Sequence, residues 1–169
     1  IRQVQKLYEN QSGRKISLPY GVEALRCYGG VKLQKKTEEI LERTEEAQVL
    51  NMEGDTIWEN ETFRTCIFPY SGEKILEKKY TKWLDCDKIN CELSVRTRRS
   101  GDYMIVNQSG GRKKLTRCMI DDKIPGEIRQ EIPLVAAKDE ILWIVGGRIS
   151  ERYKITSQTE KVLEITYQG

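Results

Sequence analysis

Pro133-Leu134-Val135-Ala136-Ala137-Lys138-Asp139-Glu140-Ile141-Leu142-Trp143-Ile144-Val145 is the stretch that decides the fold. Pro133 marks a strand start, and the four residues after it are apolar. Lys138-Asp139-Glu140 is a polar turn, too short for anything but an antiparallel return. Ile141 to Val145 is apolar without a break, the pattern of a strand buried on both faces. The stretch predicts a hairpin with a buried second arm and Trp143 in the core. Gly146-Gly147 then turns the chain into Arg148-Ile149.

The surrounding sequence reads as more short elements. C-terminal to the hairpin, Lys154-Ile155-Thr156 leads to a turn or short helix at Ser157–Lys161, then a closing strand from Val162 to Tyr167. Upstream, Pro125-Gly126 marks the start of a helix through Glu131. Gly110-Gly111 precedes a segment in which Leu115, Cys118 and Met119 have helical spacing, which predicts a helix with Arg112-Lys113-Lys114 in its first turn. Tyr103 to Val106 is a short apolar strand after the turn Ser100-Gly101-Asp102. Leu93 to Arg98 alternates, so Arg96 and Arg98 are expected on one strand face. Val49–Glu53, Thr56–Glu59, Thr62–Phe68 and Tyr80–Asp85 read as further strands.

The first part of the chain differs. Ile1 to Asn10 has helical spacing, stopped at Gln11-Ser12-Gly13, and Lys15–Leu18 reads as a strand before the turn Pro19-Tyr20-Gly21. Val22–Tyr28 and Val31–Gln34 flank Gly29-Gly30 as a hairpin. Lys35 to Ala47 is polar and acidic, which places a domain boundary there: residues 1–47, then residues 48–169. Strands and helices mix without a strand–helix–strand rhythm. The fold class is therefore α+β, mostly antiparallel sheet with a few short helices, preceded by a helix and a β-hairpin.

Composition narrows the function. The chain has 169 residues, 38% hydrophobic and 33% charged, enough for a core of its own. No apolar run is long enough to span a membrane as a helix, so a membrane partner is not expected. The start, Ile1-Arg2-Gln3, reads as a cut inside a longer protein. There is no His, which removes Ser-His-Asp and Cys-His catalysis. The five Cys, at 27, 66, 86, 91 and 118, are irregularly spaced and read as reduced thiols of a cytoplasmic protein rather than zinc ligands.

The net charge of +3 hides two opposed blocks. Thr37–Glu61 holds nine acids against Arg43, a net of −8, and Arg96–Cys118 holds seven bases against Asp102, a net of +6. A concentrated basic block attracts a polyphosphate. Cations in the first turn of a helix oppose its dipole by ~0.3–1 kcal/mol, and a phosphate bound there would reverse the sign. The plainer reading, a solvated basic turn, stays open. So does pairing of Arg96 and Arg98 with the acidic block. Arg148, Arg152 and Lys154 are further cations, and Tyr103, Tyr153 and Tyr167 could stack on bases but suit packing better. Ser109-Gly110-Gly111 is not an ATP loop of the S-G-G-x-D-S type, because Lys113 and Lys114 stand where Asp and Ser belong. Asp121-Asp122 is a tempting carboxylate pair for an enzyme, but sequence neighbours point apart on a helix, and Asp121 is better suited to capping the next one.

Leu93-x-x-Arg96-Thr97-Arg98-x-x-Gly101-Asp102, then Gly111-Arg112-Lys113-Lys114-Leu115, Ile120-Asp121-x-Lys123-Ile124-Pro125, Arg129, Pro133, Trp143-x-x-Gly146-x-Arg148-Ile149 and Tyr153-Lys154-x-Thr156 together resemble the C-terminal domain of bacterial tRNA(Ile)-lysidine synthetases. Gly13-Arg14-Lys15-Ile16-x-Leu18-Pro19-x-Gly21 and Arg26-x-Tyr28 resemble, more weakly, the family's middle region. The resemblance implies a fold similar to a domain of the phenylalanyl-tRNA synthetase β chain. It implies a parent ligase that joins lysine to the wobble cytidine of tRNA(Ile) with a CAU anticodon, with ATP (and Mg2+) and lysine as substrates used by an N-terminal domain. This part would position tRNA, hold no cofactor and catalyse nothing. A homodimer of the full-length protein is compatible with the sequence. The residues expected at the tRNA are Arg96, Arg98, Arg112, Lys113 and Lys114, with Arg148 and Lys154 at the rim. The alternative is a protein-interaction module whose acidic block docks on the basic block of a second copy.

Overall fold

The computed structural model describes residues 2–9, 14–19, 22–27, 29–35 and 47–169. The chain forms two compact units, Ile1–Thr44 and Glu45–Gly169. The expected stop at 11–13, part of the turn at 19–21, and most of the acidic linker lie outside the described residues.

The first unit has one helix, α1 (Arg2–Tyr8), and a three-stranded antiparallel sheet of β1 (Lys15–Leu18), β2 (Val22–Cys27) and β3 (Gly30–Lys35). The hairpin expected at Gly29-Gly30 is present, with Cys27 paired to Gly30. Leu7 of α1 is buried together with Ala24 and Leu25 of β2. Arg26 holds helix and sheet together: its guanidinium lies 4.6 Å from the Tyr8 ring centre and donates to the Tyr8 carbonyl at 2.9 Å.

The second unit is built from two sheets. β5 (Gly54–Trp58), β6 (Glu61–Pro69), β13 (Lys161–Gln168) and β7 (Thr81–Asp85) form a four-stranded antiparallel sheet in the order β5-β6-β13-β7. β10 (Arg112–Lys114), β9 (Tyr103–Ile105), β12 (Glu140–Ile144), β11 (Leu134–Ala137), β8 (Ser94–Arg96) and β4 (Gln48–Val49) form a six-stranded sheet in that order. All its pairings are antiparallel except β9 with β12. Trp58, Phe63, Leu84, Leu163 and Ile165 of the smaller sheet share a core with Val95, Val135, Leu142 and Trp143 of the larger. The larger sheet's other face packs against α2 (Leu115–Asp121), through Met104, Leu134, Ala136, Ile141 and Ile144 against Leu115, Cys118 and Met119.

The decisive stretch forms the expected hairpin, with one correction: Glu140 opens the second strand instead of ending the turn. β11 and β12 form the hairpin across Lys138-Asp139, and every residue of both strands is buried. A bulge opposite Val135-Ala136 puts Leu142 and Trp143 toward the same core while Ile141 and Ile144 face α2. The run is unbroken because a strand covered on both sides has no wet face. Trp143 is fully buried; cutting it to Ala would cost about 3–5 kcal/mol.

Two expected helices are corrected. Arg112-Lys113-Lys114 is not a helical first turn but the edge strand β10; the helix begins one residue later, at Leu115. The reason is the preceding turn. Val106 N–H donates to the Gly111 carbonyl, and the Asn107 side chain accepts from the Gly111 N–H at 2.7 Å. That closes a hairpin and forces the cations to run antiparallel to Tyr103–Ile105. Gly110 sits at φ 82° in this turn, and a Cβ on Gly111 would meet the Asn107 amide at 2.6 Å. The segment 125–131 is a series of turns, not a helix. Ile128 N–H reaches Pro125 O and Ile132 N–H reaches Ile128 O, after which Pro133 must enter β11. A stretch this short, opening on Pro-Gly, does not repay helix nucleation.

Candidate nucleic-acid interface

The expected cations do not form one surface; the structure sorts them by what holds them. Arg96 is 2% exposed. It makes a bidentate pair with Asp102 at 2.8 and 2.7 Å and donates to the carbonyls of Thr97 and Lys138. Asp102 also accepts from the Arg99 N–H at 2.7 Å, and its carbonyl takes the first amide of α2, Leu115 N–H, at 2.9 Å. Arg96 is therefore removed from the interface: its donors are engaged inside the fold, where the pair ties β8, the turn into β9, the β11–β12 turn and the start of α2 together. The expectation that Arg96 and Arg98 share an exposed strand face is corrected with it. β8 ends at Arg96, and Arg98 lies beyond it, half-buried, its Nε without a hydrogen-bond partner among the described residues.

Strand geometry splits the next three cations. Lys113 stands opposite Met104, on the α2 side of the sheet, and pairs with Asp121. Arg117 joins the same carboxylate from one helical turn away, at 3.5 Å. Asp121 is thus an ion-pair partner rather than the cap of a following helix. The hydrogen bond from Lys113 holds its carboxyl below the usual range, against the opposing effect of burial. Arg148 approaches the same helix end and pairs with Asp122, its Nε at 2.7 Å; that hydrogen bond raises its pKa above the usual arginine value. Lys154 is held elsewhere, by Glu151 at 2.5 Å.

Arg112 and Lys114 point to the opposite face, and both are exposed without an ion pair among the described residues. Lys114 lies directly across from Tyr103, and the Arg112 guanidinium stacks 4.6 Å from the Tyr103 ring centre. Tyr103 is itself fixed, its N–H donating to Asp139 O at 3.0 Å. An edge strand that offers two unpaired cations and an anchored aromatic ring suits a phosphate backbone with bases beside it.

Sequence reasoning missed the groove beside this edge. It holds about 750 Å3 and is lined by Tyr103, Arg112, Lys138, Glu140, Arg152 and Tyr153, among others. Glu140 and Arg152 pair at 2.7 Å. No local pattern announces this site, because its parts come from β9, β10, the β11–β12 turn and a 3-10 turn at Glu151–Tyr153. Ser109-Gly110-Gly111 does not fit ATP, since Asn107 already occupies the Gly111 amide that a phosphate would need.

With this geometry, the second unit belongs to a class of C-terminal domain already described in sequence families: residues 93–165 match the family given as TilS substrate C-terminal domain. A crystal structure of a TilS C-terminal domain superposes with a TM-score of 0.52 at 28% identity, over 64% of this chain and 84% of that one. Beyond the domain, the chain is 37% identical over 169 residues to a tRNA(Ile)-lysidine synthase of Caldanaerobacter subterraneus, covering 99% of this chain and 36% of that protein. It is 33% identical over 181 residues to the tRNA(Ile)-lysidine synthase of Clostridium perfringens, covering 38% of it. Residues 93–165 thus match the TilS C-terminal domain family, and the chain as a whole is similar to tRNA(Ile)-lysidine synthases while spanning little more than a third of these relatives' length.

Proposed function

We propose that this chain is the tRNA-positioning region of an ATP-dependent tRNA(Ile)-lysidine synthase. In this reading residues 1–47 end the family's middle region and residues 48–169 are the tRNA-binding domain. The parent joins lysine to the wobble cytidine of the CAU anticodon in the cytoplasm, consuming ATP with Mg2+ in a part of the protein other than this one. The observation that carries the reading is the β10 edge: Arg112 and Lys114 are exposed, without an ion pair among the described residues, on the side of the sheet away from α2 and next to an aromatic ring. A-form RNA hides its major-groove edges, so an exposed cationic strand would read phosphates and shape. Lys113, Arg148 and Lys154 contribute to the potential through ion pairs that phosphates would have to compete with.

The test is titration of a tRNA(Ile) transcript with the chain over a range of salt. Arg112→Glu with Lys114→Glu is expected to weaken binding at least tenfold and to flatten the salt slope by about two. Unchanged affinity and slope at low salt would remove the reading. Salt-dependent self-association with no RNA affinity would favour a protein-interaction module instead.

A further inference from the structure

We infer that the groove beside β10 receives an unpaired nucleobase carrying an exocyclic amino group, with Glu140 as acceptor for that amine and the Tyr103–Arg112 stack as its platform. The inference rests on the tRNA reading above and adds to it a subsite and a base preference.

Three observations converge. The first is an unused acceptor. Glu140 is 6% exposed; its Oε2 accepts from Arg152 at 2.7 Å, while its Oε1 is buried without a hydrogen-bond partner among the described residues. Buried carboxylate oxygens are normally matched by donors, and a carboxylate accepts well from the amino group of cytosine. The second is a stacking surface. The Arg112 guanidinium covers one side of Tyr103, is itself exposed, and borders the groove; unstacked bases settle on such guanidinium planes and aromatic rings. The third is size and charge. A volume of about 750 Å3 takes a nucleotide. Lys88, Arg112, Lys138 and Arg152 line it against Asp87, Asp139 and Glu140; Lys88 is paired with Asp85 at 2.9 Å, which leaves Lys138 and Arg152 to meet a phosphate. Arg152 is the half-exposed side chain lying on Glu140, so its movement onto a phosphate frees the carboxylate for the base. Uracil presents a carbonyl where cytosine presents the amine, and a carboxylate rejects it.

The probes are the RNA trinucleotides tricytidylate and triuridylate, titrated into the intact chain. Tricytidylate is expected to bind about tenfold more tightly than triuridylate. Glu140→Gln brings that ratio to about one, whereas Tyr103→Leu weakens both probes by a similar factor, because stacking is tolerant of base identity. Cys91 gives a second readout independent of any substitution: it is an exposed thiol on the groove, so saturating tricytidylate should slow its alkylation several-fold while Cys66, exposed on β6, reacts unchanged. Equal affinity for the two probes, or Cys91 alkylation at an unaltered rate, would overturn the inference. If tRNA binding is intact and sensitive to Arg112 and Lys114 while the probe ratio is one, the subsite fails and the tRNA reading stands. If neither tRNA nor trinucleotide binds, both fail.

Discussion

Two basic runs that look alike in sequence, Arg96–Arg99 and Arg112–Lys114, meet opposite fates. The first is turned inward at its leading residue: Arg96 is buried and bidentate with Asp102. The second forms an edge strand and keeps Arg112 and Lys114 in solvent. The difference lies in the neighbours. A carboxylate six residues beyond Arg96 returns across a tight turn, and the carbonyls of Thr97 and Lys138 take the remaining donors. β10 alternates about the sheet, so Lys113 takes the face that α2 covers while Arg112 and Lys114 take the other face and stay in water. A cluster of cations is therefore weak evidence of a binding surface until its position in the sheet is known.

The largest effect should come from breaking the inward pair. Asp102→Ala leaves the Arg96 charge buried and uncompensated, and is expected to lower stability by about 3–5 kcal/mol, read from urea midpoints. Replacing both partners, Arg96→Met with Asp102→Leu, should recover most of that loss. A mild phenotype for Asp102→Ala would erase the contrast between the runs. Next, Arg112→Glu with Lys114→Glu should shift stability by no more than about 0.5 kcal/mol, even though it is the variant expected to lose tRNA. Between these extremes stands Lys113, on the same strand but already paired. Asp121→Asn releases both Lys113 and Arg117 and is expected to tighten tRNA binding a few-fold at low salt, an effect that fades as salt rises.

The smallest effect tests a region with no cations at stake. Tyr167 donates to Glu61 at 2.7 Å, and burial, followed by that hydrogen bond, pushes its phenol up to about 12. An unfolded tyrosine releases its proton near ~10. Between those values the native state holds more protons, so this stabilisation is complete below ~10 and is lost as pH rises through about 12. Tyr167→Phe should show a flatter decline of urea midpoint between roughly pH 10 and about 12.

The same contrast explains what was legible in the sequence. The β11–β12 hairpin, the closing strand β13, the Gly29-Gly30 hairpin and the antiparallel character all follow from local periodicity and turn chemistry. The helical spacing of Leu115, Cys118 and Met119 is correct, yet it gave no sign that the helix excludes Arg112–Lys114. That boundary is set by pairing with Tyr103–Ile105 and by the Asn107 side chain, both tertiary facts. For the site, the sequence identified the cations but not their carboxylates. Asp102, Asp121, Asp122 and Glu151 each neutralise an expected contact residue, and their positions depend on how strands and α2 pack. Glu140 was hidden for a related reason: it ends a turn in sequence but begins a buried strand in space.

The most direct measurement compares two doubly substituted chains in one experiment: tRNA(Ile) transcript affinity at low salt, with folding verified by urea midpoint. The account predicts that Arg96→Met with Asp102→Leu keeps affinity within about twofold of the parent, while Arg112→Glu with Lys114→Glu loses at least tenfold. Loss of binding in the first chain and retention in the second would contradict it.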